Sequence, residues 1–162
     1  MVAADPRRRR SSSAVARRRP ASAVLRAPAP YDLRRTLSCG QAFGWRIDGR
    51  RVRGVFAGRR VALEQRGEEI LVEGVDDDVT LRRLRHYLQV DAPLAEIEAA
   101  LRRDRVLRRI LPRTSGIAIL RQDPWECLIA FIISAFNNIP KIELTLARLS
   151  ARFGAPGARG AR

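Results

Sequence analysis

"LRQDPWECLIAFIISAFNNIP", residues 120–140, decides how this chain is organised. Asp123, Pro124 and Glu126 spell a helix start. Asp123 at the N-cap accepts from backbone N–H groups, Pro124 at the first helical position leaves no N–H unpaired, and Glu126 is placed to reach back to the cap. From Cys127 to Phe136 only Ser134 is polar. A helix that is apolar on every side lies inside a protein, so 123–136 is expected to be the core helix of a helical domain. Asn137 and Asn138 end it, and Pro140 lies in the first turn of a second helix with the buried stripe Ile142, Leu146, Leu149 and Phe153. The asparagines suit two roles. They tolerate the left-handed backbone at a helix end and cap the next helix, or they present amides, with Lys141, to a base edge that needs a donor and an acceptor together.

Upstream, the period changes twice. From Gln41 to Glu73, Phe43, Trp45 and Ile47 alternate with small or polar residues, and Asp48-Gly49, Ala57-Gly58 and Arg66-Gly67 separate further alternating runs. Four strands joined by short glycine turns make an antiparallel meander with a solvated Arg/Glu face. After the acidic run 76–78, Leu81, Leu84 and Leu88 fit one helix face. Asp91 is expected to cap a helix through Leu94, Ile97 and Leu101, and Val106, Leu107, Ile110 and Leu111 a further one stopped before Pro112. His86 stands alone and reads as a surface residue. Strands followed by helices predict an α+β chain in two lobes.

The formal charge of +15 points to a polyanion such as nucleic acid. The first 30 residues, eight arginines against Asp5, supply +7 of it, so the remainder is basic on its own at +8. Thirty-one arginines stand beside one lysine, Lys141, a bias for which a GC-rich genome is the simplest cause. Residues 1–30 lack periodicity and read as a disordered basic tail, a DNA-attracting arm or the product of an over-extended start codon more than a nuclear or organelle targeting signal. Two cysteines, Cys39 and Cys127, are too few for a disulfide framework and read as reduced intracellular thiols. No apolar run reaches membrane-spanning length, and no metal-ligand cluster is visible.

"DLRRTLSCGQAFGWR" near residue 32, "GVFAGRRVALEQ", "LRHYLQVDAPLAEI" and the stretch from residue 120 resemble, in that order, the 8-oxoguanine DNA glycosylases of the helix-hairpin-helix superfamily. The likeness covers about residues 31–154. It implies a TATA-binding-protein-like antiparallel sheet domain at 31–90, then the first helices of an all-α glycosylase domain at 91–154, with 155–162 a disordered tail. It implies base-excision repair: extrusion of 8-oxoguanine from duplex DNA, N-glycosylase action and cleavage at the abasic site. Gly40, in "GQAF", corresponds to the glycine whose carbonyl accepts from the N7–H of 8-oxoguanine. The asparagine run that faces the orphan cytosine corresponds to Phe136, Asn137 and Asn138, with Lys141 at the following basic position. Phe136 stands at the asparagine expected to bond the cytosine, cannot make that bond, and is left either to wedge into the base stack or to pack in a core. Gly44 stands where an arginine is common in the family.

The family's phosphate-binding hairpin, nucleophilic lysine and aspartate lie downstream of these segments, beyond Arg162. Arg cannot replace the amine, so these residues are expected to be catalytically incompetent alone, the shortened front of a glycosylase. A damaged-DNA-binding module without catalysis is the alternative, and an alkylpurine glycosylase fragment a more distant one. The helix at 123–136 is then expected to lack cover, with poor solubility or a molten helical half. The partner implied is double-stranded DNA bearing oxidised guanine, met by a monomer with no cofactor and no membrane, in the bacterial cytoplasm or else a nucleus or organelle.

Overall fold

The computed structural model describes residues 22–154. Alternation and tight turns build an antiparallel sheet from β1 (Ser22–Arg26), β2 (Trp45–Asp48), β3 (Arg51–Phe56), β4 (Arg59–Arg66) and β5 (Glu69–Glu73), in the order β1-β5-β4-β3-β2. Ala57 and Gly58 both take positive φ (49° and 75°), the two-residue hairpin geometry that matches strand twist. On the inner face Leu25, Val52, Val61, Leu63, Ile70 and Val72 are buried. On the outer face Arg51 reaches Glu64 (3.4 Å) and Glu73 (3.0 Å), and Arg53 reaches Asp48 (2.7 Å).

Two helices close the inner face. α1 (Leu33–Ser38) is capped by Asp32, which accepts from Arg35 N–H, and buries Leu33, Thr36 and Leu37. α2 (Asp78–Leu88) is capped by Asp77, which accepts from Thr80 N–H, and buries Leu84 and Leu88. That bond holds the Asp77 carboxyl below its usual range. The Tyr31 hydroxyl donates to the Leu88 carbonyl (2.9 Å) within this core, where burial pushes its proton affinity up. Trp45 lies across its cross-strand partner Gly54, whose added β-carbon would meet the indole at 2.6 Å. Its Nε1–H donates to the Tyr87 hydroxyl (2.9 Å), and burial raises that hydroxyl's pKa to about 12.

α3 (Leu94–Leu101), α4 (Leu107–Thr114), α5 (Pro124–Ser134) and α6 (Ile139–Phe153) follow. Glu98 of α3 is buried and accepts from Ser115 Oγ (2.9 Å) and Gly116 N–H (2.8 Å). The Gly116 carbonyl in turn accepts from Asp32 N–H (2.8 Å) and Thr36 Oγ (3.2 Å). Gly116 sits at φ +86°, and a β-carbon there would come within 2.3 Å of the Pro30 carbonyl. Residues 117–120 leave this turn as an extended strap: Ala118 and Leu120 join the sheet-domain core while Ile119 points out.

Several expectations are corrected. The disordered segment predicted over 1–30 ends earlier, because Ser22–Arg26 pairs with β5 and buries Leu25; residues 1–21 and the predicted tail 155–162 lie outside the described residues. A short strand with one buried side chain owes its existence to a partner over 40 residues away in sequence, which no local period reveals. Asp91 does not cap α3. Its carboxylate is taken by Arg85 through two hydrogen bonds, which hold it below its usual range, and Pro93 occupies the cap position. α4 runs through Pro112, which costs this short helix one internal N–H without ending it. Ile97 and Leu101 face out while Glu98 faces in, because the Ser115–Gly116 turn offers Glu98 its donors. The apolar run of α5 forms its helix, with Asp123 accepting from Trp125 and Glu126 N–H groups, yet none of its residues is buried. α6 packs on it, but among the described residues α6 itself buries only Ile142. His86 is at the surface, as expected.

A candidate nucleic-acid interface

Gly40 follows the end of α1 with φ +89°, a backbone that side chains rarely adopt. A β-carbon there would meet Ile139 Cδ1 at 3.3 Å. Ile139 is the first residue of α6, directly after Asn138, so the Gly40 loop and the α5–α6 corner adjoin. Among the described residues no backbone or side-chain donor meets the Gly40 carbonyl, which leaves an acceptor free for a ligand.

Gln41 fixes this loop. Its Nε2 donates to the Thr36 carbonyl (2.9 Å) and the Ala118 carbonyl (2.8 Å), and its Oε1 accepts from Leu120 N–H (3.0 Å). Gln122 Nε2 donates back to the Gln41 carbonyl. The strap leading into α5 is thereby bonded to the loop carrying Gly40. These two glutamines were not picked out from the sequence. Their bonds between the Gly40 loop and the strap span 77 to 81 residues, and a polar residue in a loop carries no local signal of such a bond.

At the corner, Asn137 Nδ2 donates to the Ile133 carbonyl (2.6 Å), closing the end of α5. Asn138 Oδ1 accepts from Lys141 N–H (3.1 Å), capping α6. Asn138 thus caps α6, whereas the left-handed backbone at the end of α5 falls on Phe136 and not on an asparagine; each asparagine amide spends one bond at this corner. Lys141 is exposed in the first turn of α6. A cation there opposes the helix dipole, so its charge serves an outside anion better than it serves the helix. Phe136 is fully exposed and sits at φ +59°. Gly44, by contrast, faces open space, with nothing within 4 Å of an added β-carbon. At the head of α5, surrounding protein and the Asp123 carboxylate raise the Glu126 carboxyl above its usual range.

An antiparallel sheet closed by two helices, with a bonded strap leading into a helical pair, makes this an α+β protein. Residues 24–128 match the family model described as 8-oxoguanine DNA glycosylase, N-terminal domain, and the chain belongs to that family. It is 32% identical over 102 residues to a Saccharomyces cerevisiae protein named N-glycosylase/DNA lyase, a match covering 58% of this chain and 27% of that protein. Among solved structures it is similar to MBOgg1 in complex with a low-affinity DNA ligand, with TM-score 0.78 and 29% identity over 83% of this chain and 47% of that one. It is also similar to the 8-oxoguanine glycosylase/lyase of Clostridium acetobutylicum. The apo form superposes at TM-score 0.74 and 30% identity over 81% of this chain and 46% of that one, and the same enzyme with double-stranded DNA containing cytosine opposite 8-oxoG at 0.71. The chain thus spans less than half the length of these relatives. No helix among the described residues is long and apolar enough to cross a membrane.

Proposed function

We propose that this chain recognises 8-oxoguanine in duplex DNA, as the lesion-reading part of a base-excision glycosylase and lyase. The observation that carries the reading is the Gly40 carbonyl, without a donor among the described residues and set beside the corner that bears Asn137, Asn138, Lys141 and Phe136. An extruded 8-oxoguanine has a proton on N7 to give to such an acceptor. Guanine turns a lone pair toward it, and two facing acceptors repel and stay unsatisfied. Gln41 holds the carbonyl in register with the α5–α6 corner, where Lys141 meets backbone phosphate. The family and its similarity to a DNA-bound glycosylase/lyase support this reading. A DNA substrate places the protein where DNA is, in the bacterial cytoplasm before a nucleus or organelle.

The cleavage step calls for a nucleophilic amine, and Lys141 is the one lysine of the 162 residues. Its place beside the DNA-facing amides favours contact over attack, so these residues by themselves act as a damage-binding module without cutting. Fluorescence anisotropy of duplexes with 8-oxoguanine or guanine opposite cytosine tests recognition. The lesion duplex is expected to bind about 5- to 150-fold tighter, the worth of one unsatisfied buried acceptor. Equal affinity for the two refutes the reading. Borohydride treatment is expected to trap no covalent adduct, and a Lys141-dependent band refutes binding without cutting.

A further inference from the structure

We propose that the arginine face at residues 102–113 is a second nucleic-acid surface, apart from the lesion-reading loop, which grips duplex backbone whether or not the duplex is damaged. The inference takes the kind of polyanion from the DNA-recognition reading above and adds a site to it. Residues 102–113 hold six arginines against Asp104 alone, a net of +5 out of the +8 that residues 31–162 carry. A GC-rich genome accounts for Arg in place of Lys, but not for the gathering of cations in one stretch. Every residue from Leu101 to Ile110 is exposed, as is Arg113. Among the described residues, Arg102 alone of the six has an ion pair, with Glu98 at 3.5 Å. Asp104 spends its carboxylate on the start of α4, accepting from Val106 N–H (2.7 Å) and Leu107 N–H (2.9 Å). The guanidinium groups of Arg103, Arg105, Arg108, Arg109 and Arg113 are left for an outside anion.

The fold sets them in a row. Arg108 N–H donates to the Asp104 carbonyl, so helical geometry starts in the turn before α4. Arg105, Arg109 and Arg113 then recur every four residues along one face, with Arg108 beside them, while Leu111 is buried on another. Like charges four residues apart destabilise a helix, and cations in its first turn oppose its dipole. α4 bears Arg108 and Arg109 in its first turn and no acidic residue there, so these charges work against their own helix. The row spans about 12 Å, over which duplex DNA presents about seven phosphate charges. The far end of α4 is pinned: Ser115 Oγ and Gly116 N–H donate to Glu98, and the Arg35 guanidinium donates to the Ser115 carbonyl (2.9 Å). That turn adjoins the start of α1 through Asp32 and Thr36, whereas Gly40 lies past the other end of α1, about 9 Å of helix away. Guanidinium groups on phosphate carry no base identity, so the contact strengthens binding of damaged and undamaged duplex by one factor. A basic helix with apolar neighbours also suits an anionic membrane surface, but α4 has no aromatic residue and commits Leu111 to the protein interior.

Anisotropy titrations of lesion and undamaged duplexes over a range of salt concentrations, with the wild-type chain and with Arg105→Gln/Arg108→Gln/Arg109→Gln, test this. Gln matches Arg in helix propensity, so the melting temperature should hold. Affinity for both duplexes is expected to fall by the same factor, about 10- to 500-fold near ~0.1 M salt, and the slope of log affinity against log salt to flatten by about 2.7. Arg105→Lys/Arg108→Lys/Arg109→Lys keeps the charges and is expected to bind as the wild type does. Arg60→Gln/Arg82→Gln/Arg83→Gln removes the same charge from three exposed arginines elsewhere and is expected to leave affinity nearly unchanged. A loss below about tenfold in the α4 glutamine variant overturns the proposal, as does a loss confined to the lesion duplex. Lost binding by the lysine variant also overturns it, and so does an equal loss in the elsewhere variant, since net charge then acts without a site. Vesicles of phosphatidylserine and phosphatidylcholine supply the other arm: if the α4 glutamine variant loses vesicle binding but keeps duplex binding, the face belongs to a membrane and the proposal falls. Equal affinity of the wild-type chain for the two duplexes refutes the Gly40 reading alone, because this inference stands on the loss that the duplexes share.

Discussion

Leu63 and Phe131 are comparable apolar residues with opposite fates. Leu63 of β4 is wholly buried, while Phe131 of α5 is 75% exposed. The sheet half encloses a continuous core from Leu25 to Leu120, whereas the α5–α6 half, with the more hydrophobic sequence, buries Ile142 alone. Hydrophobicity determines which residues gain from burial, and the presence of an opposing surface determines which achieve it. In the sheet half that surface comes from α1, α2 and the strap at 117–120, held by Glu98, Thr36 and Gln41. Among the described residues α5 packs chiefly against α6.

This contrast predicts unequal responses to substitution. Leu63→Ala should cost about 2–5 kcal/mol in chemical denaturation, and a smaller loss would mean that the sheet core is looser than its burial shows. Glu98→Ala should cost about 1–3 kcal/mol, because the buried Gly116 N–H loses its acceptor. The loss should also shorten amide-exchange protection along 116–120. Asp123→Ala should cost about 1 kcal/mol, read as faster exchange within α5 while β3 and β4 keep their protection. A global loss of protection would show that the two halves unfold as one.

The halves should also respond to acid with opposite sign. Asp77 is held below its usual range, so its contribution is present above the unfolded carboxylate value and is lost as pH falls below about 4. Glu126 is raised, so its ionised form disfavours the folded helix start. That penalty applies above its folded pKa and disappears as pH falls through it. Exchange in α5 should therefore slow as pH, corrected for intrinsic rates, falls from neutral toward about 4, and Glu126→Gln should abolish the change. The smallest effect belongs to Phe131→Ser, within about 0.5 kcal/mol by denaturation, with less dye binding to exposed apolar surface. A loss as large as that of Leu63→Ala would show that α5 is covered in solution.

Much of the molecule was legible from its residues. The four-strand meander, the Asp123–Pro124 helix start and the helix around Leu84 and Leu88 are local patterns, and each formed where its pattern lies. β1 and the capping of α3 were not legible. The first depends on β5, and the second lost its aspartate to Arg85 on another helix. At the candidate site, Gly40 and the asparagine corner were each visible as separate motifs. Their adjacency through Ile139, and the glutamine bonds that fix it, were not.

By itself the sequence determined the four meander strands and the helices from α2 onward, since period, caps and turn residues act over a few positions. Only the tertiary structure decided which apolar faces find a partner, which polar groups spend their hydrogen bonds indoors, and that Phe136 stands outside. Those outcomes depend on contacts between residues far apart in the chain, where a favourable local pattern has no say in what lies opposite.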